Sequence, residues 1–218
     1  MPEPITIVGV SVGILTLTTH LARRYFECAK EVADIVLGFI ALVLSLPVLA
    51  VSAILIKTFS AGPAIFTQQR VGQDGKLFTL YKFRTMYTDA EVAGGAVWAS
   101  KDDPRVVPVC RWMRVSHVDE LPQLINVIKG EMSLVGPRPE RPEILAELEK
   151  KYPNVRDRLA VRPGITGLAQ VRNGYDTSVE AFRRKLEADL EYIENRNWTT
   201  ELRILAATVA KFNDKAAH

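Results

Sequence analysis

Asp119 and Glu120 stand side by side, five residues after Arg114. Pro122 follows, and proline is best tolerated in the first turn of a helix. This spacing predicts a helix that starts near Asp119, with Ser116 and Asp119 as a capping pair. A carboxylate at a helix amino terminus is favoured as the anion. An ionised aspartate in that place can serve as a nucleophile or as a magnesium ligand. The competing reading is plain helix capping. Arginines shift the balance toward chemistry: Arg105, Arg111 and Arg114 precede the dyad, and Arg138 lies in the turn Gly136-Pro137-Arg138-Pro139. Attack by a carboxylate on a diphosphate brings negative charges together. It therefore needs cations, and guanidinium forks grip phosphate oxygens in two places. A short Gly-Pro-Arg-Pro segment holds an arginine at little entropic cost. Solvated arginines in an ordinary loop are the alternative.

Elements must bring these groups together. After the dyad, Leu121, Leu124, Ile125 and Ile128 make the apolar face expected of the helix. Leu77–Phe83 reads as a short strand, and Val71–Gly75, with its Gly-Gln-Asp-Gly, as the turn before it. Residues 57–88 hold Lys57, Arg70, Lys76, Lys82 and Arg84 against one acid, Asp74, a basic strip suited to phosphate or to anionic lipid. In 178–195, Val179, Phe182, Leu186, Leu190 and Ile193 recur at helical spacing. Leu202, Leu205, Val209 and Phe212 do the same in 200–212. Both stripes are expected to face the core. Nucleotide-loop and nucleophile-elbow motifs are absent from the sequence.

The strongest feature lies upstream. Residues 35–56 contain no charged side chain, and as a helix these 22 residues would be about 33 Å long, enough for a bilayer core. Asp34 and Lys57 bound the run. Pro47 sits inside it and divides it into arms that each reach about half-way across. The segment either crosses with a kink or dips in, breaks at Pro47 and returns. Arg23, Arg24 and Lys30 before it, with Lys57 and Arg70 after it, favour the return, since both ends then stay on the positive side. Residues 4–22 are a weaker apolar stretch, readable as a first span or as a surface-lying leader. Lys+Arg exceed Asp+Glu by only 28 to 25, too little for a nucleic-acid coat, so no nucleic-acid partner is expected. Two cysteines exclude a disulfide-dense scaffold, and three scattered histidines argue against a histidine zinc site.

The run Asp119-Glu120-Leu121-Pro122-Gln123-Leu124-Ile125-Asn126-Val127-Ile128-Lys129-Gly130-Glu131-Met132-Ser133-Leu134-Val135-Gly136-Pro137-Arg138-Pro139 resembles the signature of the bacterial sugar transferases, the monotopic phosphoglycosyl transferases. Tyr81-Lys82-Phe83-Arg84-Thr85-Met86, Arg70-Val71-Gly72 and Arg162-Pro163-Gly164-Ile165-Thr166-Gly167 agree with it, over roughly residues 27–212. The resemblance implies transfer of a sugar phosphate from a UDP-sugar to undecaprenyl phosphate, with release of UMP. Asp119 is then the nucleophile and forms a phosphosugar-enzyme. Glu120 is the second acid, in magnesium coordination or proton handling, and Mg2+ on Asp119 and Glu120 is the implied cofactor. Arg114 and Arg138 match phosphate-binding positions, Lys82 and Arg84 more weakly. Arg162, Pro163 and Gly164 serve the nucleotide or the site wall. The implied membrane element is a re-entrant helix broken near Ser45 and Pro47.

The expected fold is an α-rich α+β chain, with a re-entrant helix-break-helix fused to a compact cytosolic domain of amphipathic helices and a short strand element. Its division is a leader at 1–22, a catalytic domain at 23–212 including membrane residues 35–56, and a tail at 213–218. It belongs on the cytoplasmic face of the bacterial inner membrane, among its lipids, at the first step of exopolysaccharide, capsule or O-antigen synthesis. Departures from the family pattern are Leu46 between Ser45 and Pro47, Glu31 for a basic residue, Cys110 for glycine, and His117 for a small hydroxyl residue. Two rival functions stay open: a membrane glycosyltransferase that releases UDP, and a non-catalytic membrane adaptor.

Overall fold

The computed structural model describes residues 6–87, 103–173 and 179–213, with side chains described over 21–87, 103–172 and 182–211. The side chains of the leader, of Val179 and of Phe212, and the tail beyond Asn213, lie outside the described residues.

One long helix leads, α1 (Thr6–Phe59). Its most apolar stretch has a mean hydropathy of 2.8 and is only 11% buried. Asp34, Ser52 and Ile56 are buried on one stripe, whereas Phe39, Ile40, Val43, Leu44, Leu46, Val51 and Ile54 are bare on the others. Water would penalise so much exposed apolar surface, and lipid would not. The helical assignment runs on through Pro47, where a break was expected. Proline removes one backbone N–H from the ladder. In the preceding turn the Ser45 hydroxyl donates to the Leu42 carbonyl at 2.9 Å, an additional hydrogen bond beside the one proline deletes.

An antiparallel hairpin follows, β1 (Ile65–Val71) and β2 (Leu77–Phe83), with Thr67 opposite Tyr81. β2 has the expected bounds, and its partner β1 went unread. The short helix α2 (Arg111–Val115) leads through a 3-10 turn, Val118–Gln123, into α3 (Leu124–Ile128). The expected capping pair is not made. Ser116 ends α2, and its hydroxyl bonds back to the Trp112 carbonyl at 2.7 Å. His117 in the left-handed region, at φ 53°, makes the reversal instead. The inward residues of α3 are Leu124, Asn126 and Val127, while Ile125 points outward.

The chain then forms β3 (Ser133–Val135), α4 (Pro142–Lys151), a 3-10 segment Val155–Ala160, β4 (Gly164–Thr166), α5 (Leu168–Asn173), α6 (Val179–Glu194) and α7 (Trp198–Asn213). β3 and β4 pair in parallel, Val135 opposite Thr166. Phe182 and Leu186 of α6 fill the core with Leu145 and Val155, as the stripe predicts. The α7 stripe does so only at Leu205, which packs beside Tyr192 and Ile204. Leu202 and Val209 are exposed, and the buried side of α7 carries Glu201 and Ile204. Glu201 takes that side because it meets Lys30 of α1 at 2.8 Å, and Lys30 also pairs with Asp34.

The polar domain packs on α1 near both ends of its apolar run. Ser133 donates to Asp34 at 2.7 Å. At the other end Ile56 packs with Phe83, Cys110 and Met113.

Candidate active site

Asp119 and Glu120 lie in the 3-10 turn that His117 begins, and the Glu120 amide donates to the His117 carbonyl at 3.0 Å. Asp119 is 7% exposed and makes no hydrogen bond or ion pair among the described residues. Burial, together with the adjacent Glu120 charge, pushes its carboxyl up to about 6. Lys82, Arg114 and Arg138 pull the other way without prevailing.

Glu120 meets the opposite fate. Burial works to raise its carboxyl too, but Arg138 outweighs it and holds Glu120 at about 2. The contact is a two-pronged fork, Nη2 to Oε1 at 2.5 Å and Nη1 to Oε2 at 3.1 Å. One acid is therefore locked as a fixed anion and its neighbour is left basic, the division of labour by which paired carboxylates take separate roles.

Lys82 reaches the dyad from β2. Burial lowers its ammonium against the pull of Asp119 and Glu120, and it lies over the Phe66 ring at 5.3 Å. It forms no ion pair among the described residues, so its charge remains available to an anion. Arg114 comes from α2 and bonds the Thr85 hydroxyl at 3.3 Å. Arg70, on β1, is held by burial at about 10 and sits within the fields of Arg138 and Glu140.

The β2 register is set from α3. The side-chain amide of Asn126, wholly buried, donates to the Thr79 carbonyl at 2.7 Å and accepts from the Tyr81 amide at 3.2 Å. It stands in for a neighbouring strand one residue from Lys82. Nothing in the spacing of Asn126 announced this role.

Arg84 is turned elsewhere. Its guanidinium donates to the carbonyls of Ala61 and Ser60, at 2.5 and 3.0 Å, and fastens the end of α1. Arg162 forms an ion pair with Glu31 of α1 at 2.6 Å. Pro163 and Gly164 form the wall behind the Arg138 loop: the Ser133 amide donates to the Pro163 carbonyl, and the Gly164 amide to that of Pro137. A methyl group at Gly164 would overlap the Gly136 backbone, so glycine is required at this crossing.

The dyad is a limited fit for magnesium. That ion takes one or two carboxylates and completes its shell with substrate phosphates and water. Asp119 is an unpaired buried carboxylate, but both Glu120 oxygens already face Arg138. No group of three or more metal-ligating side chains occurs among the described residues.

Comparison with known proteins shows the family. The profile of the family described as Bacterial sugar transferase matches residues 25–215. The UDP-glucose:undecaprenyl-phosphate glucose-1-phosphate transferase of Caulobacter vibrioides is 39% identical over 205 residues, covering 92% of this chain and 76% of that protein. The Exopolysaccharide production protein PSS of Rhizobium leguminosarum is 39% identical over 185 residues, 83% of this chain and 92% of that one. The UDP-N-acetylgalactosamine-undecaprenyl-phosphate N-acetylgalactosaminephosphotransferase of Aeromonas hydrophila is 41% identical over 193 residues, 88% of this chain but 45% of that longer protein. With its dyad, its Arg138 fork and its bare apolar helix accounted for within the matched span, the chain belongs to the bacterial sugar transferase family.

Proposed function

We propose that this protein transfers a sugar 1-phosphate from a UDP-sugar to undecaprenyl phosphate and releases UMP. The observation that carries the reading is the split dyad: an unpaired, buried Asp119 beside a Glu120 locked by Arg138, within the fields of Lys82 and Arg114. An Asp119 oxygen attacks the β-phosphorus of the donor. The new bond is O–P, and the bond that breaks joins that phosphorus to the oxygen bridging to the α-phosphate, which leaves as UMP. An oxygen of the lipid phosphate then attacks the same phosphorus, and the Asp119 carboxylate is released. Both steps crowd anions, and the surrounding cations lower that repulsion more strongly at a buried site than in open water.

Magnesium, if bound, would be held by Asp119 and Glu120 with the diphosphate oxygens, and would screen charge on the diphosphate. Glu120 keeps Arg138 aimed into the site through both of its carboxylate oxygens.

Two features support a re-entrant placement on one membrane face. Asp34 and Ile56, near either end of the apolar run, both rest on the same polar domain. That domain is polar and is not expected to enter hydrocarbon, which favours both ends of the run lying on its side. The flanking basic residues favour the cytoplasm for that side. The exposed Trp198, Leu202 and Val209 of α7 fit the headgroup boundary, where an amphipathic helix lays its apolar face.

Enzyme given donor alone should gain the mass of one hexose phosphate at residue 119, and Asp119→Asn should stay folded, gain no mass and release no UMP. Release of UDP would favour the sugar-only transferase, and an Asp119→Asn protein with full turnover would remove the nucleophile.

A further inference from the structure

The aim of the Arg138 fork depends on how its backbone is held, and that backbone lacks ordinary means. Pro137 and Pro139 flank it and offer no N–H. The carbonyls of residues 137 to 140 instead accept, one after another, from four separate donors. The Gly164 amide reaches the Pro137 carbonyl at 2.9 Å, and the Val71 amide reaches that of Glu140 at 3.0 Å. Arg70 Nη1 reaches the Pro139 carbonyl at 2.9 Å. Arg158 Nη2 reaches the carbonyl of Arg138 itself at 2.8 Å.

The last donor differs from the others. The Arg158 side chain is 2% exposed, and its Nη2 also meets Asp189 of α6 at 2.6 Å, whose side chain is 1% exposed. Glu140 lies 3.5 Å from Nη1, and the guanidinium stands over the Phe182 ring at 5.5 Å. Lys185 completes the cluster by pairing with Glu140 at 2.5 Å. A buried ion pair is weak evidence for stability, because apolar side chains of the same volume usually serve as well. A charged fork does what apolar packing cannot: it grips a carboxylate and a loop carbonyl with one rigid plane.

We propose that Arg158, aimed by Asp189 and Glu140, is a positioning residue that sets the backbone at Arg138 and through it the fork that faces Glu120 and the substrate phosphate. The proposal rests on the phosphate-gripping role given to Arg138 above. It joins α6 to the dyad by a chain of contacts, Asp189 to Arg158, Arg158 to the Arg138 carbonyl, and Arg138 to Glu120.

A double-mutant cycle on the full-length protein in nanodiscs tests it, with UDP-glucose and UDP-N-acetylgalactosamine as donors and UMP release as the readout. Arg158→Lys keeps the charge for Asp189 but loses the fork. It should lower kcat/KM about tenfold, mostly through a higher KM for the donor, with little change in Tm. Arg138→Lys should do about the same. Together they should lose about tenfold rather than a hundredfold, because both act through one contact. Additive losses overturn the proposal. Arg158→Met with Asp189→Leu removes both charges at similar volume. It should fold, melt near the parent and show the same tenfold loss, and parental kinetics in this variant overturn the proposal. A third readout separates the two layers of the argument. Amide exchange at Gly164 and Val71, which donate to the Pro137 and Glu140 carbonyls, should quicken in Arg158→Lys, and unchanged exchange overturns the proposal whatever the kinetics. If Arg138→Lys turns over like the parent, the phosphate role of Arg138 falls, while the exchange result still reports whether Arg158 holds the loop.

Discussion

Asp119 is a carboxylate placed where its charge is poorly tolerated. Its pKa of about 6 arises from burial and from Glu120. Attack requires the anion, so single-turnover UMP release should rise with pH and level off above a midpoint near 6. A flat profile between pH 5 and 8 would show that the reacting group is another one. The same shift has a cost in stability. A carboxyl whose pKa is raised on folding favours the folded state below its unfolded value, and that advantage is lost as pH rises through about 6. Asp119→Asn should therefore melt higher than the parent at pH 8, with the difference shrinking toward pH 4. His117 gives a second test at this scale. Its left-handed backbone shapes the turn, and asparagine tolerates that conformation. His117→Asn should keep turnover within a few-fold, and a collapse of the rate would assign chemistry to the imidazole.

At the scale of elements, the site is a meeting of pieces that are individually too short to be stable. α2 and α3 have five residues each, and β3 and β4 three. Isolated helices and hairpins of such length do not persist in water. They hold because one supplies what another lacks, as Asn126 of α3 does for the open edge of β2. The crossing of Gly136 and Gly164 is the tightest of these junctions, where a methyl group would meet backbone with no room to move. Gly164→Ala should destabilise the domain by about 1–3 kcal/mol and disturb the Arg138 loop. A denaturant midpoint equal to the parent's would contradict that packing. The sequence made β2 legible by its aromatic and β-branched residues, and α6 and α7 because each carries a periodic pattern. It left β1 unread because only Val71 of that strand is buried, so no apolar alternation shows, and β3 and β4 because three residues are too few for a period to appear and their partners lie far along the chain.

For the molecule as a whole, the question is how a polar enzyme meets a lipid substrate. The bare girth of α1 answers in part, since it has no partner within the described residues over most of its surface. Native thiols make the topology testable. Cys28 is exposed before the apolar run and Cys110 is buried. Thr58→Cys adds a thiol on the exposed far end. In sealed inside-out vesicles an impermeant maleimide should label both Cys28 and the thiol introduced by Thr58→Cys. Labelling of one and protection of the other would establish a true span. The outward Leu202 and Val209 of α7 belong to this scale too. Read along the helix alone, they look like core. Only the docking of Glu201 onto Lys30 shows which side of α7 faces inward.

The sequence by itself pointed to the candidate site and its setting: a carboxylate dyad, arginines near it in the chain, and a charge-free run long enough for lipid. These are legible because they depend on residue type and local order. Tertiary structure alone decided how the two acids differ, because the Arg138 fork joins residues 18 positions apart and burial is a property of the assembled fold. It also decided that Arg84 fastens the end of α1, and that Arg158 and Asp189 stand behind the Arg138 loop. A side chain's partners are fixed by packing across distant segments, and no local pattern records them.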